Sequence, residues 1–358
     1  MEQTNRLNLL KELCAIDGVS GCEGKVAQWI KSHLPADCTA YTDARGNLIC
    51  EKKGKQIPKN KLMFAAHMDE VGFIITYIEE SGLIRFDAVG GIDTRVVVGK
   101  PVRLESGKEG VVGAKPIHLQ SADEREATLK YSELYIDIGT KSREEAEQFV
   151  SLGDFATFRP QFTQMGSCIC AKALDNRIGC LLLLELLNED LPYDITAVFT
   201  VQEEIGGAAG NAAFAVKPDI AVAVDTNTAA DVPGVSPSKN VCALGKGPVL
   251  TFQDKGGFSD RELFCAAKEI CKEQDIPYQI KNQVIGATDA AGMGKAASGC
   301  RTLAVAVPTR YIHSPSSVFN PKDLEPSAKL LTAMVERFAQ IAPRRGIVTK
   351  HEKRKQEA

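Results

Sequence analysis

Ile195-Thr196-Ala197-Val198-Phe199-Thr200-Val201-Gln202-Glu203-Glu204-Ile205-Gly206 carries the strongest architectural signal in the chain. The apolar run Ile195–Phe199 is short and β-branched, which predicts a buried strand. Two adjacent carboxylates follow where that strand should end. In open α/β sheets, ligands sit outside the carboxyl ends of the strands. Neighbouring residues on extended backbone point in opposite directions, so Glu203 and Glu204 can do different work, one binding a metal and one moving a proton. Taken alone, a Glu-Glu pair is an ordinary solvated acidic turn. Its meaning depends on what else the chain brings to the same edge.

Three other segments repeat the pattern. Lys61-Leu62-Met63-Phe64-Ala65-Ala66 predicts a strand ending at His67-Met68-Asp69-Glu70. Ile220-Ala221-Val222-Ala223-Val224 predicts another, ending at Asp225. Thr302-Leu303-Ala304-Val305-Ala306-Val307 predicts a last core strand leading into the loop Pro308–Pro315, which carries His313. Asp175 stands at a predicted helix start, where by itself it reads as an N-cap. A lone strand-end histidine is usually structural, and Asp225 alone is a loop carboxylate. Together they make a donor set of two imidazoles and several carboxylates, suited to zinc, cobalt or manganese. Two ions sharing one carboxylate would lower the pKa of a water between them and polarise a carbonyl. The remaining glutamate would take that water's proton and pass it to the leaving group.

Between these segments the texture changes. From about Val71 to Pro160, short strand-like runs recur between glycine-containing turns: Gly72–Ile78, Leu83–Phe86, Val96–Val98, Val102–Leu104, Gly110–Gly113 and Leu134–Ile138. This predicts a small β-rich module inserted into an α/β pattern. The expected organisation is a discontinuous catalytic domain, residues 1–70 and 161–358, and an insertion, 71–160. The expected fold is α/β, a mixed sheet sandwiched by helices with a PDZ-like or barrel-like insertion. Helices are expected over residues 4–16, after Ser20 as a cap, from Cys180, near 259–274 and near 321–339. The tail from Arg344 is expected to be charged and frayed, and its Lys350–Lys355 run a solvated tail.

Composition excludes several classes. Among 358 residues, 25% are charged and the formal net charge is −3, so nothing global advertises nucleic acid or an anionic membrane. Apolar runs fall short of the roughly 18–20 residues that a span needs. The N-terminal residues lack a basic region followed by an apolar stretch, so a cytoplasmic protein is expected. Eleven cysteines, with no Cys-x-x-Cys, predict free and mostly buried thiols rather than a zinc finger. Gly294-Lys295 lacks the spacing of a phosphate loop, and Gly206–Gly210 lacks that of a dinucleotide turn. His33 and His351 are expected to be solvated. His118 lies in the insertion and reads either as structural or as reaching a partner's site.

Five dispersed motifs then resemble one family: Ala66-His67-Met68-Asp69-Glu70-Val71-Gly72, Ala173-Leu174-Asp175-Asn176-Arg177, Val201-Gln202-Glu203-Glu204, Asp225 with Asp231-Val232-Pro233-Gly234, and Arg310-Tyr311-Ile312-His313-Ser314-Pro315. They look like the co-catalytic metalloaminopeptidases that assemble as tetrahedral dodecamers, the TET aminopeptidases, which include glutamyl aminopeptidases. Gly113-Ala114-Lys115-Pro116-Ile117-His118-Leu119 matches the family's inserted module, and the resemblance runs from about residue 5 to 340. It implies two divalent metal ions per subunit (zinc, cobalt or manganese), with His67 and Asp225 on one, Glu204 and His313 on the other, and Asp175 bridging. It implies Glu203 as general base, Asp69 orienting His67, and a cis peptide between Asp175 and Asn176. It also implies short peptides as substrates and an insertion that dimerises, with dimers building a hollow dodecameric shell. The alternatives are a hydrolase of another amide or glycoside on the same site, or a non-catalytic assembly protein. One departure stands out: Gly207-Ala208-Ala209-Gly210 replaces two larger residues and a glycine, which bears on the nearby loop, substrate preference or assembly.

Overall fold

The computed structural model describes residues 2–343. The charged run Lys350–Lys355 and His351 lie outside the described residues. Helices α1 (Gln3–Ala15) and α2 (Gly24–Ser32) are followed by an antiparallel hairpin, β1 (Cys38–Thr42) and β2 (Leu48–Lys52), and by β3 (Leu62–His67). The chain then builds a separate sheet from β4 (Gly72–Ile78), β5 (Ile84–Val89), β6 (Pro101–Leu104), β7 (Glu109–Ala114), β8 (Leu134–Asp137) and β9 (Phe155–Phe158). Two short helices, α3 (Ala122–Glu126) and α4 (Arg143–Ala146), lie among them.

After β10 (Phe162–Met165) and β11 (Cys168–Ala171) come α5 (Leu174–Leu187), β12 (Ile195–Thr200), α6 (Ala209–Val216) and β13 (Ile220–Thr228). The chain ends with β14 (Val249–Thr251), α7 (Arg261–Glu273), β15 (Gln279–Ile280), α8 (Asp289–Gly294), β16 (Arg301–Arg310), β17 (Ser317–Phe319) and α9 (Leu324–Gln340).

The main sheet runs β1-β2-β12-β3-β13-β16-β17-β11-β10, with β14 and β15 attached beside β16. Its centre, β12, β3, β13 and β16, is parallel, and the flanks are antiparallel. Parallel strands are covered on both faces, which is why β3 and β12 are buried at every position. Alternation still sorts the faces. Leu62, Phe64 and Ala66 join the core under α1, α5, α7 and α9, whereas Met63 and Ala65 face the cluster of α6 and α8. The second face is lined with alanine and glycine, and a Cβ at Gly210 would stand 3.2 Å from the Gly292 carbonyl oxygen. Small residues therefore let α6 and α8 approach closely.

The inserted strands close into a barrel, β4-β5-β8-β7-β6-β9. Phe73 fills its centre, edge-on to Phe86 at 4.9 Å and to Phe158 at 5.2 Å between ring centroids. Half-buried charges fasten the barrel to the α/β body. The Arg103 guanidinium on β6 donates to Asp17 at 2.6 and 2.7 Å and to the Ala15 carbonyl. Thr157 on β9 donates to the same Asp17.

Several local expectations are corrected. Ser20 does not cap α2; the helix starts after Glu23, and the Ser20 hydroxyl donates to Asp69 Oδ2 at 2.6 Å. Val96–Val98 is not a strand, because Asp93 caps a 3-10 turn over Thr94–Val96. His33 is half-buried rather than solvated, stacked on Trp29 at 3.8 Å, with its Nδ1 2.8 Å from the Trp29 carbonyl oxygen. Asp175 makes no capping bond; the N-cap of α5 is Ala173. His118 is exposed on a 3-10 turn of the barrel segment. The eleven cysteines are all unpaired, six of them buried. Among the described residues, no helix is long and apolar enough to cross a membrane.

Candidate metal centre

The parallel registry explains why the proposed donors meet. Thr200 pairs with His67, so the ends of β12 and β3 lie side by side. On the other side of β3, Ala223 pairs with Ala65, which brings Asp225 level with His67. His313 arrives from the loop after β16, and Asp175 from the irregular start of α5. The Asp175–Asn176 peptide is cis, and both residues depart from helical φ/ψ. Asn176 is fully buried, its amide donating to the Val224 carbonyl at 2.8 Å. Ala173, Gln202, Tyr311 and His313 adopt positive φ of 55–59° although none is glycine. Such strain collects where a site needs side chains aimed in set directions.

The donors form two triads that share Asp175. His67 Nε2 lies 3.3 Å from Asp175 Oδ1 and 3.6 Å from Asp225 Oδ1. His313 Nε2 lies 3.4 Å from Asp175 Oδ2 and 3.1 Å from Glu204 Oε2. Each triad has ligand atoms within 4.8 Å of one another. Metal–ligand bonds of about 2.0–2.2 Å at tetrahedral angles put ligand atoms roughly 3.3–3.6 Å apart. Three of the four spacings fall in that range, and the fourth, His313 to Glu204 at 3.1 Å, is slightly shorter.

The donor chemistry also fits a cation. Asp175 Oδ1 and Glu204 Oε1 are buried with no hydrogen-bond partner, a cost a bound ion would remove. Burial raises the Glu204 pKa to about 8, and the Asp175 carboxylate adds to the rise. Burial likewise holds Glu203 well above, and Asp225 above, the ordinary carboxylate range. Burial opposes charge on the imidazoles. Yet Asp175, Asp225 and Asp69 hold His67 well above its usual value, and Asp175 and Glu204 bring His313 to about 9. These buried carboxylates share too little positive charge.

Asp69 does more than sit beside His67. Its Oδ1 accepts the Glu203 N–H and its Oδ2 the Glu204 N–H, both at 3.1 Å, and Oδ2 also accepts from Ser20. His67 Nδ1 lies 3.2 Å from the Asp69 carbonyl oxygen and 3.4 Å from Oδ1. One fully buried carboxylate thus fixes both the imidazole and the Glu203-Glu204 backbone. Asp231 clamps Arg310 with contacts of 2.6 and 2.7 Å, tying the loop after β13 to the strand that delivers His313. The small residues after Glu204 serve geometry: Gly207 adopts φ +74, and Ala208 and Ala209 are buried at the start of α6. The broad cavity of about 1160 Å³ beside Phe214, Phe258 and Arg301 contains none of these donors, so size alone does not locate the chemistry.

Comparison with known proteins identifies the class. Residues 46–330 match the family model described as M42 glutamyl aminopeptidase. A putative aminopeptidase of Acetivibrio thermocellus is 38% identical over 340 residues, covering 94% of this chain and all of that one. The TET aminopeptidase of Thaumarchaeota archaeon SCGC AB-539-E09 superposes with a TM-score of 0.89 at 31% identity, covering 93% of this chain and 96% of that one. The TET1 peptidase of Pyrococcus horikoshii, which can assemble into a tetrahedron or a large octahedral shell, gives 0.82 at 34% identity, covering 92% and 99%. The chain belongs to the M42 glutamyl aminopeptidase family. It is a metal-dependent aminopeptidase, a family activity that requires divalent metal, and its structure supplies candidate ligand groups.

Proposed function

We propose that the two triads hold two divalent ions and that the enzyme removes N-terminal residues from short peptides. The observation that carries this reading is the sharing of Asp175, with one oxygen turned to each imidazole. His67, Asp225 and Asp175 would hold one ion, and Glu204, His313 and Asp175 the other. Zinc, cobalt and manganese all suit this donor set. When bound, the ions supply Lewis acidity toward the scissile carbonyl and lower the pKa of water.

The chain's own residues do the rest. Glu203 takes the proton of the attacking water and returns it to the departing amine. Its desolvated carboxylate is a stronger base than an exposed glutamate. Asp69 holds Glu203 and Glu204 by their backbone N–H groups, which fixes the turn from which both side chains project.

Residues 71–160 act as an inserted unit for dimerisation, and dimers build a dodecameric shell that admits only short peptides. The shell-forming relative supports this reading. Unpaired cysteines favour a reducing compartment, the cytoplasm. The test is hydrolysis of aminoacyl chromogenic substrates after chelation and reloading with each metal. Cleavage requires a free N-terminus, and equal turnover of N-blocked substrates refutes the aminopeptidase reading. Glu203→Gln keeps two ions while kcat falls by about 10²–10⁴; loss of an ion in that variant would make Glu203 a ligand instead.

A further inference from the structure

The two halves of the cluster are mounted on different supports. His67 is fixed by Asp69, and Asp69 by Ser20 and the Glu203-Glu204 turn, all of them in the α/β body. His313 is fixed from the barrel. Its Nδ1 lies 2.9 Å from the carbonyl oxygen of Gly91, just beyond β5. A carbonyl only accepts, so Nδ1 carries a proton, and in the neutral ring that binds a cation the Nε2 lone pair faces Asp175 and Glu204. The preceding residue packs on the other donor of the same half. Gly90 has φ +83, and a Cβ there would stand 3.3 Å from Glu204 Cβ and 2.8 Å from Val71 Cγ1. The backbone reaches His313 and Glu204 because positions 90 and 91 carry no side chain.

We propose that the Gly90–Gly91 corner of the barrel is a positioning element for the His313–Glu204 half of the centre, so that the seating of the barrel sets the affinity of that half alone. This rests on reading the two triads as metal sites. The barrel is seated by Arg103 and Thr157 on Asp17, and none of these three touches a proposed ligand. Tilting the barrel moves the Gly91 carbonyl relative to His313, whereas the Asp69 clamp on His67 is built from residues of the α/β body.

The experiment is titration of chelated protein with Zn²⁺, followed by calorimetry and metal analysis. Wild type takes two ions. In Gly90→Ala one ion binds within twofold of its wild-type affinity and the other at least tenfold more weakly. Gly139→Ala is the matched control: it lies in the barrel segment at φ +79 with nothing within 4 Å of its Cβ, and both affinities stay unchanged. Arg103→Met, which loosens the seat at a residue that touches no proposed ligand, lowers the affinity of one ion alone at least threefold and keeps the test open if the glycine variant does not fold. Equal weakening of both ions, unchanged affinities in Gly90→Ala or Arg103→Met, or the same selective loss in Gly139→Ala overturns the proposal. A wild type that never takes two ions refutes the dinuclear reading instead.

Discussion

Replacing Lys172 with methionine tests the charge network that joins the barrel, the N-terminal segment and the edge of the centre. Lys172 Nζ lies 2.5 Å from Glu70 Oε1 and 3.1 Å from Asp17 Oδ1, with the lysine side chain 1% and the Glu70 side chain 3% exposed. Methionine keeps the length and apolar stem but removes the charge. Asp17 retains Arg103 and Thr157. Glu70 retains the Gly18 N–H at 3.2 Å and Arg177 Nη2 at 3.6 Å. Removing one member of a buried pair costs about 3–5 kcal/mol. The lower end applies here, because Arg177 Nη2 has no acceptor of its own and can turn onto Glu70. We expect a loss of about 3 kcal/mol, seen as a fall of about 0.5–1.5 M in the guanidinium midpoint followed by circular dichroism. Lys172→Met combined with Glu70→Gln should recover most of this, because neither buried charge then lacks its partner. A Lys172→Met midpoint within error of wild type, or simple additivity in the double variant, refutes the reasoning.

Asp69→Ala removes the acceptor for two backbone N–H groups and Ser20; metal affinity falls by about 10–100-fold, and an unchanged Zn²⁺ titration would show that the clamp is dispensable. Asp323 is fully buried beneath the Gly245 and Gly247 N–H groups, each at 2.7 Å, and burial pushes its pKa up to about 6. The folded state therefore holds a proton that the unfolded chain, with an aspartate near 3.9, has released. Stability contributed by this group is present below pH 4 and is lost as pH rises through 6, with a slope of at most about 1.4 kcal/mol per pH unit. Asp323→Asn flattens that part of the profile; denaturant midpoints with the same slope in both proteins would contradict it.

Much of the architecture was legible because parallel strands buried on both faces must be apolar along their length. β3, β12, β13 and β16 announced themselves, as did the residues at their carboxyl ends. The barrel segment was legible from its short runs and glycine turns, although Val96–Val98 misled because valine content does not separate a strand from a capped 3-10 turn. β1, β9, β10, β11, β14 and β17 were missed: short strands are defined by the neighbours they pair with more than by their own pattern. Ser20 was read as a cap since serine before an apolar run suits a helix start, but its hydroxyl found a stronger acceptor, 49 residues away, in the Asp69 carboxylate. His33 looked solvated because the indole that covers it lies one helical turn away, a contact invisible to local polarity.

By itself the sequence determined the period of its strands, the chemical types at their ends, and hence which side chains were available for a metal centre. Those properties are local, carried by burial pattern and donor chemistry. Tertiary structure alone decided that Asp175 turns one oxygen to His67 and the other to His313. It also decided that Asp69 grips the Glu203-Glu204 backbone and that a carbonyl of the barrel fixes the His313 ring. Backbone N–H and C=O groups are the same at every residue, so no sequence pattern marks which of them will meet a given side chain; only the packing of distant segments selects it.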